Sequence, residues 1–446
     1  MRERPQRGAD MRGAFVCRRG KVDATEPTKP GQAPAALPSI LPVMHLPSTA
    51  ALAGVLLAGL AASTEPTQVT RTVDAPAIAV HESAVVHPAQ PAAAAPRSLK
   101  DVIADRWTVW CGNKTRITIA DLADEAAADC VHGDEAAACA TLIQQLNRLK
   151  NKRGIEGIDR SQLPIDGEGD ADLWKRLELG YRMSLKKERS IPSELFANGT
   201  PTFAAVRQAR EGDCWLLATT GWMVKFRPDV IRAAIEPVGD GRWLVRFANG
   251  DTVAVSTPTV TEMITVNSDP SLRDGLWLPV VKEAMGSIIG ERNKARGEIE
   301  SEALRINGGS GSAMLERWTG HRVRVIRLES KASVEEVRAA LVDGMKRHAA
   351  MGAGTPKEPA GAIPPNHAFA IFGFDESRDV VITWNPWNNN FTPKGPDGRK
   401  HGYARKDGIA EIPLADFVVL FRGMWIETDE PARASSDRSA VRKLPD

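Results

Sequence analysis

The chain is 446 residues long, room for two or three domains, and carries a formal net charge of +2 with both signs interspersed, so no basic face recommends a nucleic-acid partner. Aromatic content is 5%, with 11 Trp against 2 Tyr, and no internal repeat, zinc-spaced Cys/His set or phosphate-binding loop is visible.

The first hundred residues are a different material from the rest, and 1–63 form an N-terminal arm with a signal-like segment. Met1–Gln32 is basic and rich in Pro and Gly. The run Ser48-Thr-Ala-Ala-Leu-Ala-Gly-Val-Leu-Leu-Ala-Gly-Leu-Ala-Ala62 is uncharged and apolar, shorter than the roughly 20 residues of a membrane span, and Gly59, Ala61 and Ser63 offer cleavage sites. It reads as a signal-peptide core, which implies export to a periplasm or the medium, and no stable membrane anchor unless the segment is retained. The long arm ahead of it is atypical. A start at Met44 would give a shorter signal whose n-region holds His45 and no Lys or Arg. The alternative is an apolar helix in a disordered N-terminus of a cytoplasmic chain.

Residues 64–98, rich in Ala, Pro, Val and Thr, cannot build a core and form an extended or disordered linker. From 99 to 195 the composition turns globular, with helices expected over Ala126–Lys152 and Ala171–Lys187. This N-terminal extension reads as a packed extension, a propeptide or a docking module, in that order. Within it, Asp166-Gly-Glu-Gly-Asp-Ala-Asp172 has acidic spacing like the start of an EF-hand loop, but Ala171 replaces the turn glycine and Leu177 the bidentate Glu.

Gln208-Ala-Arg-Glu-Gly-Asp-Cys-Trp-Leu-Leu-Ala218 places one thiol just after Gly-Asp at the start of an apolar helical run. With Asp213 as N-cap, the Cys214 sulfur lies in the first turn, where unpaired backbone N–H groups and the positive dipole end favour thiolate over thiol. Standing alone, a Cys beside Trp-Leu-Leu is more often a small buried hydrophobe. A Cys nucleophile also needs a base and a group that orients the base.

Both occur downstream. His367 opens the β-rich run Asn366-His-Ala-Phe-Ala-Ile-Phe-Gly-Phe374, and Asn385 closes Val380-Val-Ile-Thr-Trp-Asn-Pro-Trp387, with polar Asp375-Glu-Ser-Arg-Asp379 between them as a hairpin turn. A short turn centred on Glu376 pairs Phe372 with Val380 and Ala370 with Ile382, and the same register pairs His367 with Asn385. Directly opposed residues share a face with Cβ atoms roughly 5 Å apart, so imidazole and carboxamide meet; a one-residue slip would part them. The 153-residue interval from Cys214 to His367 lies close to the papain-like spacing of about 130–150. In this reading His367 takes the Cys214 proton and returns it to the leaving amine, while Asn385 accepts from the far ring N–H and holds the tautomer.

Gln-x5-Cys-Trp with Gly-Asp before the Cys resembles the nucleophile motif of the calpain family, a branch of the papain-like cysteine proteases. The resemblance covers residues 196–428, leaving 429–446 as a polar tail. It implies an α+β, papain-like fold of two subdomains, a helical one with Cys214 and a β-rich one with His367 and Asn385, and an extended protein or peptide substrate between them. It also implies that the Gln208 amide joins the Cys214 N–H in binding an oxyanion, and that the Trp387 indole covers the His–Asn hydrogen bond from water. Gly308 and Gly309, in Asn307-Gly-Gly-Ser-Gly-Ser, would pair with the substrate backbone, although that composition equally suits a flexible linker. Gly275-Leu-Trp-Leu-Pro-Val-Val-Lys-Glu-Ala-Met285 is similar to the family's buried helix with an aromatic anchor, and Asp407-Gly-Ile-Ala-Glu-Ile-Pro-Leu-Ala-Asp-Phe417 to its last strand and turn. A bacterial-type, exported member is the form implied.

Two departures stand out. Asn366 replaces the glycine that usually precedes the His, and Asn388-Asn-Asn-Phe-Thr-Pro-Lys394 replaces an acidic, Trp-rich stretch that supplies calcium ligands in calcium-dependent members. Hard cations want carboxylates, so no cofactor is expected and calcium is not supported at this place. The function expected is a cysteine endopeptidase; the alternatives are acyl transfer to an amine as in transglutaminases, whose third member is normally Asp, and a catalytically silent peptide-binding module of the same fold. Of the five cysteines, Cys17 would leave with a signal and Cys214 must stay reduced, so Cys130–Cys139 is the preferred disulfide, against none at all. Nothing in the sequence bears on oligomeric state.

Overall fold

The computed structural model describes residues 95–432, apart from 210, 295–305, 307, 329–332 and 359. The signal-like segment, Cys17, nearly all of the 64–98 linker and most of the tail lie outside the described residues. The first elements are α1 (Leu99–Cys111), β1 (Arg116–Thr118), α2 (Ala123–Ala126), α3 (Gly133–Arg153), β2 (Gly157–Asp159) and α4 (Ala171–Glu188). Ser98 caps α1 by accepting from the Asp101 N–H, and Asp170 caps α4 by accepting from that of Leu173 at 3.0 Å. The long helix expected from Ala126 begins instead at Gly133, whose φ of 58° turns the chain between α2 and α3.

Apolar faces of α1, α3 and α4 close a core around Ile103, Trp107, Leu142, Leu146 and Leu177. Cys139 is fully enclosed in it on the inner face of α3, whereas Cys130 is exposed in the turn before that helix, so the expected Cys130–Cys139 disulfide is not formed. The acidic run ahead of α4 serves the backbone and an arginine: Asp170 is the cap, and Asp166 pairs with Arg160 at 2.5 Å.

The next elements are α5 (Cys214–Phe226), α6 (Pro228–Ala234), the antiparallel meander β3 (Ile235–Gly239), β4 (Arg242–Arg246), β5 (Thr252–Ser256), then α7 (Val260–Val266), α8 (Asp269–Arg273), α9 (Trp277–Lys294) and α10 (Gly311–Thr319). Helix α5 is apolar all round and correspondingly buried from Trp215 to Val224; it stops where Pro228 takes the first turn of α6. Next come β6 (His321–Arg327), α11 (Val334–Lys346), β7 (Met351–Gly354), β8 (Ala368–Asp375), β9 (Val380–Trp384), β10 (Ile409–Pro413), α12 (Leu414–Leu420) and β11 (Gly423–Pro431).

Among the described residues these strands form one antiparallel sheet in the order β10-β9-β8-β7-β11-β6. Period-two alternation sends Ala368, Ala370 and Trp384 to the side of α5, and Phe369, Ile371, Val381 and Ile412 to the side of α11 and α12. Helix α5 can lie flat on the sheet because of Gly221: a Cβ there would fall 2.4 Å from the Trp384 ring. The chain thus adopts the α+β fold expected, a helical part bearing Cys214 on a β-rich part bearing His367 and Asn385. One boundary moves, since β11 carries residues 429–431 into the sheet rather than the tail.

The N-terminal extension is fastened to α7 and the turn after it. Gln144 Nε2 donates to the Ile264 carbonyl at 3.1 Å, Lys187 Nζ to those of Ile264 at 3.1 Å and Asn267 at 2.6 Å, and Thr259 Oγ1 to that of Ala126 at 2.5 Å.

Candidate active site

Asp213 precedes α5 as its N-cap, but its side chain does not cap. Its carbonyl accepts from the N–H groups of Leu216 and Leu217 at 3.0 Å each, while its carboxylate turns inward to Lys282 Nζ at 2.8 Å. Both side chains are buried. Asp213 stands at the expected N-cap position and Cys214 in the first turn, but the carboxylate goes to Lys282 on α9, itself donating to the Val266 carbonyl at 2.7 Å, because a full positive charge outweighs an N–H. Sequence reasoning missed Lys282. The signal was there: a lone Lys inside Trp277-Leu-Pro-Val-Val-Lys282, a cation that only a buried carboxylate can balance.

Cys214 opens α5 beside β8, where the backbone N–H of Ala368 favours the thiolate form. Burial pushes the thiol above its ordinary 9.0; the Asp213 charge adds to this, and the N–H groups of Ala368, Trp215 and Cys214 oppose it without overcoming it. The helix N-terminus therefore does not by itself yield a thiolate, contrary to the expectation from sequence.

His367 precedes β8, anchored by Thr355: the His367 N–H donates to Thr355 Oγ1 and the Thr355 N–H to the His367 carbonyl, each at 2.9 Å. Asn385 Oδ1 lies 2.9 Å from His367 Nε2 and also 2.9 Å from the backbone nitrogen of Trp387. The Trp387 N–H can only donate, so the atom between them is the carboxamide oxygen, Nε2 carries its proton, and Nδ1 is left as the basic nitrogen.

The hairpin that brings them together has a different register from the one expected. Ala370 faces Trp384 and Ile371 faces Thr383; a bulge then sets Gly373 against Ile382 and Asp375 against Val380. The turn is the four residues 376–379, held by Asp375 Oδ1, which accepts from the N–H groups of Ser377 and Arg378, and by Asp379 at φ 55°. At the site end the shift is two residues. An even slip preserves the face, so His367 and Asn385 meet diagonally instead of directly.

The Trp387 ring lies 4.6 Å from the imidazole at 40°, and the Phe369 edge closes another side at 5.1 Å. Burial pushes His367 down to about 4; its bond to Asn385 opposes this and the Arg405 charge adds to it. Cys214 and His367 open on one cavity of about 650 Å³, which Gly308 and Gly309 also line. The Gly308 N–H is tied to the Gly212 carbonyl at 2.9 Å, and a Cβ on Gly309 would fall 2.3 Å from the Trp215 ring. Asn366, at φ 48°, occupies the left-handed region that glycine takes most readily and asparagine next, which accounts for its standing in glycine's place. Gln208 is tethered by its N–H to the Pro386 carbonyl at 2.8 Å, and its Nε2 donates to the Glu211 carbonyl at 2.6 Å. It does not line the cavity, and one amide N–H remains for any ligand.

The model of the family described as calpain family cysteine protease matches residues 174–399, from within α4 to beyond β9. The chain belongs to the calpain family of cysteine proteases. It therefore carries a cysteine-peptidase domain, and the match reaches upstream of 196 into the N-terminal extension. A comparison with curated proteins found no match.

The connection after Trp387 is where calcium-dependent relatives were expected to hold their ion. Asn390 Oδ1 accepts from the Asp407 N–H at 2.7 Å, the Asn389 carbonyl from that of Gly408 at 3.1 Å, and Asp397 Oδ2 from that of Ala404 at 3.2 Å. The Arg405 guanidinium lies 4.8 Å over the Phe391 ring in the same connection. The side-chain oxygens of Asn388 and Asn389 are buried without a hydrogen-bond partner among the described residues, and no carboxylate stands within 388–390 to add charge.

Proposed function

We propose that this calpain-family chain is an endopeptidase in which Cys214 attacks the scissile carbonyl, His367 moves the proton and Asn385 orients His367. The observation that carries the reading is the doubly held Asn385 oxygen, which assigns the Nε2 proton and leaves Nδ1 basic beside the cavity that Cys214 shares. With the thiol raised and the imidazole lowered, the resting pair is neutral, and proton transfer accompanies attack. The Cys214 N–H and the remaining Gln208 N–H would receive the oxyanion. Collapse breaks the C–N bond, Nδ1–H gives its proton to the amine, and water activated by His367 then cleaves the thioester. Trp387 excludes water from the His–Asn bond, and Gly308 and Gly309 offer backbone to the substrate.

In the same reading activity needs no calcium, the extension braces α7 rather than occluding the cleft, and residues 1–63 direct export. The test is digestion of an unfolded protein mixture by the full chain and its Cys214→Ala variant, with N-terminal sequencing of exported material. Cleavage by the wild type alone, together with alkylation of Cys214, is expected. Equal cleavage by the variant would remove Cys214 as nucleophile.

A further inference from the structure

One ladder row runs from the reacting pair to the edge of the sheet: Ala368 on β8 faces Gly354 on β7, Gly354 faces Gly423 on β11, and Gly423 faces Arg327 on β6. Both central positions are glycine, so no side chain interrupts the path. Neighbouring strands lie about 4.8 Å apart, which puts the Arg327 Cα roughly 14 Å from that of Ala368, and an extended peptide at about 3.3 Å per residue covers this in about four residues. The next row, Ala370, Gly352, Trp425 and Val325, ends on an apolar wall, with Val325 53% exposed.

Arg327 and Arg422 both line the far end of this cavity and both are exposed. Among the described residues that line the cavity none is acidic. Arg422 has its backbone fixed, its N–H donating to the Gly354 carbonyl at 2.8 Å, and makes no ion pair with a described residue. Unlike Arg422, Arg227 is paired with Glu427 and Arg338 with Asp379. The start of α10 at Ser310–Ser312 opens on the same cavity and adds the positive end of a helix dipole.

Building on the peptidase reading, we propose that the cleft selects substrates with an acidic side chain within about four residues of the scissile bond, its carboxylate received by Arg422 and Arg327 and its aliphatic stem laid on Trp425 and Val325. Planar guanidinium forks suit carboxylates, and the same field rejects Lys or Arg at that place.

The experiment uses the full chain and quenched peptides that differ only in Glu, Gln or Lys at each of four positions on either side of the bond. At one position kcat/KM for Glu should exceed that for Gln by about tenfold, with Lys below both. The Glu-to-Gln ratio should fall toward one in Arg327→Gln/Arg422→Gln and as salt is raised, and Arg422→Glu should turn the preference toward Lys. A ratio near one throughout, or a preference that survives in the double variant, overturns the proposal. If no peptide is cut, the peptidase reading fails by itself. Fluorescence anisotropy of labelled Glu and Gln peptides on Cys214→Ala then decides: tighter Glu binding lost in the Arg-to-Gln variants supports the inference, and equal binding overturns it.

Discussion

Replacing Lys282 by Met would remove the ammonium 2.8 Å from a carboxylate that has no solvent exposure. Truncating one partner of a buried pair costs about 3–5 kcal/mol, and Asp213 sets its own ceiling, because it can escape by taking a proton. Starting from the ordinary carboxyl value of 3.8, protonation at pH 7 costs about 4.4 kcal/mol at 1.36 kcal/mol per unit, and at pH 5 about 1.6. The sign is that of an acid whose folded value is raised: its stability is present at low pH and lost as pH rises. Urea unfolding of the full chain at both pH values should show Lys282→Met down by about 4 kcal/mol at pH 7 and by less than half of that at pH 5. Asp213→Asn/Lys282→Met should recover most of the loss, since no buried charge is then stranded. A penalty below about 1 kcal/mol at pH 7, or one that does not change with pH, would refute the assignment of the pair as buried and mutually dependent.

Hydrolysis should persist at pH 5 and reach half its plateau only near pH 4, because His367 must be neutral to accept a proton and burial holds it down to about 4; a limb at 6.5 in kcat/KM would contradict this. Gly309→Ala drives a Cβ to 2.3 Å from the Trp215 ring, so melting should show a loss of about 1–3 kcal/mol together with reduced kcat/KM, and an unchanged variant would mean that the loop yields freely. Excess chelator should leave the rate intact, whereas strict calcium dependence abolished by changes within residues 388–397 would reverse the reading of that connection.

The residue types and order of the site were legible from sequence, and the geometry that joins them was not. Cys214 after Gly-Asp, His367 at the head of one β run and Asn385 at the foot of the next are chemical facts of the chain. Their meeting depends on a turn held by Asp375 and a bulge at Phe372, neither of which alternation reveals; the site end slips by two residues, and only the even parity keeps both side chains on one face. The side-chain partner of Asp213, the N-cap expected, was hidden for a related reason. Local capping rules weigh a carboxylate against nearby N–H groups, but its partner lies 69 positions away on α9. Arg327 and Arg422 share the cavity only because β6 and β11 are neighbours, again a pairing distant in sequence.

The two titrating groups that flank the nucleophile also pull the stability of the fold in opposite directions. His367, folded at about 4 against an ordinary 6.5, stabilises the native state above 6.5 and withdraws about 3 kcal/mol as pH falls through 4. Asp213, raised by burial despite Lys282, does the reverse, its contribution present below 3.8 and diminishing as pH rises toward its folded value. In the folded protein His367 stays neutral between 6.5 and neutrality. A neutral imidazole beside a protonated thiol then persists across the same interval. In the mechanism proposed, that arrangement lets substrate arrival, not bulk pH, decide when the proton leaves sulfur, with Trp387, Phe369 and the Asn385 oxygen keeping water from charging the ring first.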